Sequence, residues 1–377
     1  MKTEVEVKPN MLTWAISRAG FELSEFVSKF PKVGDWLEKK KKPTVKQLEE
    51  FSNRVHIPFG YLFLNEPPQE QLPIPFFRTG TSQTNEVSIN VYDTILLIQR
   101  RQEWLSSYLR ENDFERLPFV GRARSNNSYV EIVEDIRRTL QLDSEWASRF
   151  KTLDETLAYL TDKIEELGII ISFNGVVENN TSRPIKVEEC RGFVLVDEWA
   201  PFMFVNAADA KAAQLFTIVH ELAHIWTGHS AGFDIKKLMP ANDPIEKLCD
   251  QVAAEFLVPA DSFNRLWRQQ PDIRQIAKYF KVSPIVIGRR AWDLGKIGRE
   301  EFFNFYDSYI SQLELKKENQ GSGGDFYATT RKRLSPRFAG LINQAVKNES
   351  LLYRDAYRLT GLKGDTFHTF FSDHLIK

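Results

Sequence analysis

The sequence has few cysteines and no long apolar run, which limits the kinds of protein it can encode. Only 2 cysteines occur in 377 residues, and neither Cys190 nor Cys249 has Cys-x-x-Cys spacing. We therefore expect neither a disulfide framework nor a thiolate metal site, and we expect each cysteine to be a small buried hydrophobe. No apolar run reaches ~18 residues and no leader-like N-terminus is present, so the sequence predicts neither a membrane partner nor secretion.

Charge of either sign is also not in excess. The 50 basic and 51 acidic residues give a net charge of −1, which argues against a chain dominated by nucleic-acid binding. With 42% hydrophobic residues, a chain of 377 residues can bury substantial cores, and two or three domains are expected. The low cysteine content favours a reducing compartment, so the expected location is the cytoplasm.

Histidine is scarce as well, yet two of the 6 histidines stand in the motif His220-Glu221-Leu-Ala-His224. On a helix, this spacing puts both imidazoles on one face, where they can bind one Zn²⁺ while Glu221 reaches its water. A solvated pair of histidines is the plainer alternative. The flanking residues are apolar nearly all round, between a candidate N-cap at Asp209 and a candidate C-cap at Gly228, so a buried helix is predicted.

A catalytic zinc site needs a third protein ligand, which must come from elsewhere in the chain. A second helix with a proline at each end is predicted over residues 244–259. Glu246 and Asp250 share one face of it, so we expect Glu246 to bind the metal and Asp250 to accept the other ring N–H of a zinc histidine. The weaker alternatives are His229, Asp250 itself and Glu255. Because Glu255 falls on the opposite side of the helix, it is better explained as a carboxylate that is exposed or that supports the ligands.

Two short apolar runs precede the motif helix, at residues 192–197 and 201–206, and they predict a β-hairpin. A strand beside a metal site can bind an extended peptide through unpaired N–H and C=O groups, which makes Phe204 and Asn206 candidate substrate-binding residues. A purely structural sheet is the alternative. Arg289 and Arg290 are further candidates, for a substrate carboxylate or oxyanion, although ordinary surface arginines are the favoured interpretation.

The chain resembles the ImmA/IrrE-type zinc metallopeptidases, in the larger form with an N-terminal Xre-like helix-turn-helix. The resemblance covers nearly the whole chain and rests on the segments 191–206, 216–224, 246–259, 43–48 and 323–327. It implies that His220, His224 and Glu246 bind zinc and that Glu221 is the catalytic base. It also implies a regulatory protein as substrate, often a repressor or an antitoxin, whose cleavage switches on stress, phage or mobile-element genes.

Two positions depart from the pattern of that family. The family more often has Asn where Asp250 stands, and either side chain accepts a hydrogen bond, so metal binding is still expected. Phe76 stands where the family usually has Asp before Phe-Arg, so a role for an acid at that place is not expected here.

The N-terminal segment shows four short helical patterns before residue 56, separated by glycine and proline, which is the layout of a helix-turn-helix domain. Lys32 begins the presumed recognition helix, and the run Lys39, Lys40, Lys41 and Lys42 follows it. These lysines could contact the phosphates of double-stranded DNA, or they could form a solvated turn. The helix is poor in Arg, Gln and Asn, so docking of a protein partner is an equal alternative to DNA binding.

The sequence predicts an α+β chain: mainly helical and multi-domain, with a small sheet and a zincin-like motif helix in the peptidase domain. The expected domains are an Xre-like helix-turn-helix at 1–66, a Pro-rich linker and helical connector at 67–128, the peptidase at 129–313, and a flexible linker with a helical extension at 314–377. A second helix-turn-helix-like unit is expected at 272–298. The expected function is zinc-dependent cleavage of a regulatory protein, and the alternative is a regulator or antitoxin that binds its partner without cutting.

Overall fold

The computed structural model describes residues 3–69, 76–78, 87–123, 127–234, 243–314 and 325–375. The described chain is mainly helical with a small sheet, which confirms the α+β class. It divides into two compact units, the first formed by Met1–Pro73 with Gln83–Ile95 and the second by Ile74–Ser82 with Leu96–Lys377. The domain boundaries drawn from the sequence stay predictions. Most of both predicted linkers, at 70–75 and 315–324, lies outside the described residues.

The first unit contains four short helices, α1 (Pro9–Arg18), α2 (Leu23–Lys29), α3 (Pro31–Leu37) and α4 (Val45–Val55), and the start of α5 (Ile89–Glu111). Proline in the first turn favours α1 and α3, and a capping box between Thr44 and Gln47 begins α4. Apolar side chains from these helices form a separate core that includes Leu12, Ile16, Phe26, Trp36, Leu48 and Phe51. The four predicted helical patterns are therefore helices, while the assignment as an Xre-like domain stays a prediction.

The second unit contains the remaining helices and the main sheet. Its helices are α6 (Tyr129–Leu140), α7 (Leu153–Glu166), α8 (Lys211–Thr227), α9 (Pro244–Leu257), α10 (Ala260–Gln269), α11 (Ile273–Phe280), α12 (Pro284–Asp293), α13 (Arg299–Glu314), α14 (Phe326–Leu334), α15 (Pro336–Lys347), α16 (Tyr353–Thr360) and α17 (Gly364–Thr369). Across the described ranges, no helix has the length and apolar content needed to cross a membrane.

Seven strands are described. They are β1 (Phe76–Arg78), β2 (Ile170–Asn174), β3 (Val176–Val177), β4 (Asn180–Pro184), β5 (Gly192–Leu195), β6 (Phe202–Asn206) and β7 (Ala231–Asp234). The main sheet has the order β1-β7-β5-β6-β2, and β3 pairs with β4 in a separate ribbon. Pairing is antiparallel at β5–β6 and β5–β7, and parallel at β2–β6 and β1–β7.

The predicted hairpin is confirmed, because β5 and β6 pair in antiparallel register from Gly192↔Val205 to Leu195↔Phe202. The expectation that this hairpin leaves a strand edge unpaired is wrong. The second edge of β5 pairs with β7, and the second edge of β6 pairs with β2. Both strands are thus internal in the sheet, and every residue of each is buried.

The motif helix α8 is buried nearly all round, as its apolar flanks predict. It begins at Lys211 with Ala210 at the N-cap, one residue later than expected from Asp209. It ends at Thr227, where Gly228 has φ +76° in the left-handed region that glycine adopts at little cost. One side of α8 packs on the sheet, and α9 packs along it in the same core.

Helix α9 is fixed at both ends by polar contacts. The Asp243 side chain accepts from the N–H groups of Ile245 and Glu246 and so caps the first turn. At the other end, Arg137 donates to the carbonyl oxygens of Glu255 and Phe256 at 2.9 and 3.0 Å. These bonds satisfy groups that a helix end leaves unpaired.

Glu255 and Arg290 correct two expectations. The sequence favoured an exposed or metal-supporting position for Glu255 and a surface position for Arg290. Both are buried, and they form an ion pair with each other. Nε of Arg290 also donates to the carbonyl oxygen of Val258 at 3.0 Å, so the pair ties α12 to the end of α9.

The C-terminal helices pack on the far edge of the sheet. Ser172 of β2 donates to the carbonyl oxygen of Arg333 in α14 at 2.6 Å. The buried Arg101 of α5 donates to the carbonyl oxygen of Leu359 in α16 at 2.8 Å. The predicted helical extension is therefore part of the second unit, and α14 covers the edge of β2.

Gly192 is the point of closest approach between β5 and α8. A Cβ atom at this position would lie 2.5 Å from Cγ2 of Thr217 and 2.8 Å from the carbonyl oxygen of Phe204. We expect Gly192→Ala to lower the free energy of unfolding by about 1–3 kcal/mol, because strand and helix must separate. The measurement is the thermal and urea unfolding transition of the second unit.

Gly340→Ala in α15 is the matched control, because a Cβ atom there meets nothing within 4 Å. Alanine in an open helical position should stabilise by roughly 0.5–1 kcal/mol. If the two variants change the free energy of unfolding equally, the close approach at Gly192 does not contribute to stability.

Candidate metal centre

Three side chains from α8 and α9 converge at one buried point. The distance from Nε2 of His220 to Nε2 of His224 is 3.2 Å, and to Oε2 of Glu246 it is also 3.2 Å. Oε1 of Glu246 lies 3.1 Å from Nε2 of His224, outside hydrogen-bond geometry. The two histidines are one helical turn apart, so their convergence follows from α8 alone, while Glu246 requires the contact with α9.

These separations fit a metal better than a set of hydrogen bonds. Ligands about 2.05 Å from a tetrahedral Zn²⁺ lie roughly 3.3 Å from one another. Within the described part of the chain, His220, His224 and Glu246 are the group of His, Cys, Asp and Glu side chains whose ligand atoms all lie within 4.8 Å. Two imidazoles and a carboxylate, without a thiolate, form a donor set suited to a divalent cation such as Zn²⁺.

Asp250 supports the site from the next turn of α9. Its Oδ1 lies 3.0 Å from Nδ1 of His220, so the proton on Nδ1 is donated to the carboxylate and Nε2 is the nitrogen that faces the other two ligands. The carboxylate is one-third exposed, whereas the His220 ring is fully buried. The predicted supporting role of Asp250 therefore has the required geometry.

Burial and the mutual contacts shift the pKa values of the ligands in opposite directions. Burial lowers the pKa of His220, but its contacts with Asp250 and Glu246 outweigh this and raise the pKa to about 10. Burial raises the pKa of Glu246, but its contacts with the two histidines outweigh this and lower the pKa to about 2. Burial holds the pKa of His224 below its usual value. A cation at this site therefore replaces a proton on His220.

Glu221 is fully buried beside the ligands, and neither of its carboxylate oxygens has a hydrogen-bond partner among the described residues. Burial raises its pKa well above the usual value, the charge of His220 lowers it, and Glu246 raises it further. An unpaired buried carboxylate costs several kcal/mol when ionised. A cation or a proton-donating water beside Glu221 would account for this unpaired carboxylate.

The other predicted substrate residues lie outside this group. Phe204 is buried and stacks on Phe193, with 5.0 Å between ring centroids. The Asn206 side chain is fully buried, and its Nδ2 donates to the carbonyl oxygens of Ile185 and Cys190 at 3.0 and 2.9 Å. Both side chains therefore support the sheet and its loop, and their role in substrate binding stays a prediction.

Arg289, the third predicted substrate residue, lies on α12. Its Nε donates to Oδ1 of Asp293 at 2.9 Å, and its guanidinium lies over the ring of Trp292. Its role in substrate binding stays a prediction without structural support.

Among the alternative ligands, His229 is exposed just beyond α8 and lies outside the metal-binding group. Cys249 is buried in α9, and burial next to Glu246 raises the pKa of its thiol well above the usual value. The neutral thiol behaves as a small hydrophobe, as expected.

The predicted DNA-binding lysines are exposed on the first unit. Three of them are in ion pairs: Lys40 with Glu38, Lys41 with Asp35 and Lys42 with Glu6. Lys32 and Lys39 are exposed as well, and Lys39 has a left-handed backbone with φ +58°. These ion pairs reduce the net positive charge offered to phosphates, and DNA binding stays a prediction.

Gly192 and β7 are the features of this site that the sequence analysis missed. A glycine at the start of an apolar strand often marks a close backbone approach, so Gly192 carried a usable signal. The four residues of β7 carry no comparable local pattern. Their pairing with β5 is visible only in the structure.

Together, the fold and the site define a buried His-His-Glu centre of the kind that binds a divalent metal ion. Residues 164–291 match the family model of the M78 peptidases described as the IrrE N-terminal-like domain. The matched segment contains β2–β7, α8–α11 and most of α12, and with them the centre itself. This part of the chain is thus similar to the ImmA/IrrE family, as the sequence resemblance implied. Residues 334–373 match a domain of unknown function (DUF8813). No curated protein matched the chain.

Metal binding by this centre is directly measurable. We expect one tightly bound Zn²⁺ per chain, and we expect Asp250→Ala to weaken it about 10–100-fold, because His220 loses the partner that fixes its tautomer. Glu246→Ala removes a ligand and should weaken binding further. The measurement is a competition titration against a chromophoric chelator.

Asp293→Ala is the matched control, because it removes an acidic side chain that pairs with Arg289 away from the centre. Its zinc affinity should equal that of the unmodified protein. Unchanged affinity in Glu246→Ala would remove that residue from the ligand set.

Proposed function

We propose that this protein is a zinc-dependent endopeptidase. The observation that carries the proposal is the convergence of His220, His224 and Glu246 beside a buried carboxylate, Glu221, with no hydrogen-bond partner among the described residues. Zn²⁺ held by such ligands acidifies water and polarises a carbonyl group. The match of the surrounding segment to a peptidase family model supports the same reaction class.

Each side chain of the centre has a distinct task in this proposal. Glu221 takes a proton from water during attack on the peptide carbonyl and delivers it to the leaving amine. Its raised pKa suits the second task, since a carboxyl that is protonated easily can also act as an acid. Asp250 holds the ring of His220 through Nδ1. Gly192 packs close to α8, and a Cβ atom there would lie 3.6 Å from Oε1 of Glu221.

We further propose that the substrate is a regulatory protein of the repressor or antitoxin kind, as the sequence resemblance implies. The four-helix first unit supports this part of the proposal, because a compact bundle with exposed lysines can dock a partner protein or DNA. The competing function is a regulator that grips its partner without cutting it. The two functions differ in whether the partner protein is cleaved into shorter pieces.

The role of Glu221 is tested by Glu221→Gln, which keeps the shape of the side chain and removes the base. We expect the variant to retain Zn²⁺ and to lose cleavage by at least about a hundredfold. The probe is a peptide library made by tryptic digestion of a cell lysate. Mass spectrometry reports new termini after incubation with the zinc-loaded protein.

Glu165→Gln is the control, because Glu165 is another buried carboxyl with a raised pKa, on α7 rather than beside the metal ligands. It should cleave like the unmodified protein. Identical new termini from unmodified and Glu221→Gln protein would exclude Glu221 as the base.

The substrate class is tested by co-expressing the chain with the product of the adjacent gene. We expect that product to be shortened beside the unmodified protein and to stay intact beside Glu221→Gln, because only the former can hydrolyse it. Immunoblots of the tagged partner give its length. An intact partner that co-purifies with both proteins would support the non-cleaving regulator instead.

A further inference from the structure

The edge of β5 is occupied by the chain's own β7, which runs antiparallel to it in the register Gly192↔Phe233, Phe193↔Gly232 and Val194↔Ala231. We propose that β7 is an autoinhibitory strand, which occupies the place of an extended peptide substrate and must leave β5 before the substrate binds. This inference rests on the proposed peptidase function. It adds that β7 and the substrate compete for the same edge of β5.

The main-chain groups of β5 can be assigned to its two neighbours. The carbonyl oxygen of Arg191 accepts from Asn206 on the β6 side, and the N–H of Val196 donates to Oγ of Ser230 on the β7 side. Main-chain groups alternate in direction along a strand, so those of Gly192 and Val194 face β7. These are the groups that an added peptide strand would use.

The occupied edge lies against the candidate catalytic carboxylate. A Cβ atom on Gly192 would be 3.6 Å from Oε1 of Glu221, so this carboxylate lies beneath the residue of β5 that pairs with Phe233. A peptide added to β5 in place of β7 would therefore pass over Glu221. A peptide added elsewhere on the sheet would not, since the second edge of β6 pairs with β2.

The centre is closed to solvent. The exposed fractions of His220, Glu221, His224 and Glu246 are 0%, 0%, 1% and 3%. Both oxygens of Glu221 lie in this closed space without a hydrogen-bond partner among the described residues. A peptidase cannot act on a chain that does not reach its centre, so a covering element has to move.

The described element that can move is β7, because it is short and lies between the two ligand helices in the sequence. It pairs with β5 over three residues and begins three residues after the Gly228 cap of α8. Its second edge pairs in parallel with the three residues of β1. A strand of this length adds few hydrogen bonds and can open at a small fraction of the free energy of global unfolding.

The matched test is a reversible covalent lock between the two strands. Val194 and Ala231 are directly paired, and cysteines at a hydrogen-bonded antiparallel pair, about 5.5 Å apart at Cα, can form a disulfide. We expect the oxidised double variant Val194→Cys, Ala231→Cys to cleave the tryptic peptide library at least about tenfold more slowly than the same protein after reduction. The single variants are the controls, and their cleavage should not respond to oxidation.

A second measurement does not depend on activity. In the unmodified protein, we expect the amides of Gly192, Val194 and Val196 to exchange with solvent at least about tenfold faster than those of Phe193 and Leu195, which face β6. Residue-resolved hydrogen exchange gives both rates. Addition of the library to Glu221→Gln protein should slow the first set, because a bound peptide replaces β7.

The outcomes separate the two proposals. Equal, measurable cleavage by the oxidised and reduced double variant, or equal exchange of the two sets of amides, would overturn the autoinhibitory role of β7 and leave the peptidase proposal standing. If neither the unmodified protein nor the reduced double variant produces new termini in the library, the peptidase proposal fails. Fast exchange of Gly192, Val194 and Val196 would still show that β7 opens.

Discussion

The candidate centre depends on the contact between α8 and α9. The turn of α8 places Nε2 of His220 and Nε2 of His224 3.2 Å apart, but two imidazoles do not complete a catalytic metal site. Glu246 completes it only because α9 packs alongside α8. The caps that fix α9, Asp243 at its start and Arg137 at its end, therefore also fix the third ligand. The contacts that stabilise the pair of helices are therefore also the contacts that set the geometry of the centre.

Burial shifts the pKa values of the residues in this centre, and it also raises the free-energy cost of their charged forms. Burial raises the pKa of Glu221, while paired contacts raise the pKa of His220 to about 10 and lower that of Glu246 to about 2. Such opposed shifts within a few ångströms are typical of functional sites. In the same unit, Arg290 and Glu255 match their buried charges directly in an ion pair. The buried charge of Glu255 holds two helices together, whereas the unpaired carboxylate of Glu221 is available for chemistry.

The sheet carries the strand edge on which the proposed competition takes place. Phe204 and Asn206 of β6 are packing and loop-supporting side chains. In the proposal, a substrate binds along β5 through main-chain groups, which recognise an extended conformation rather than a particular sequence, and β7 offers the same conformation from within the chain.

The sequence by itself determined the features that follow from local periodicity. The spacing of His220 and His224 requires a shared helix face, the apolar flanks require a buried helix, and Glu246 shares a face with Asp250 because both lie on one predicted helix. The α+β class, the hairpin and the helical extension followed from the same patterns. Only the tertiary structure decided that β7 pairs with β5, that Asn206 faces a loop, and that Glu255 meets Arg290. These contacts join residues distant in sequence, and no local pattern encodes which partner a strand edge or a buried charge will meet.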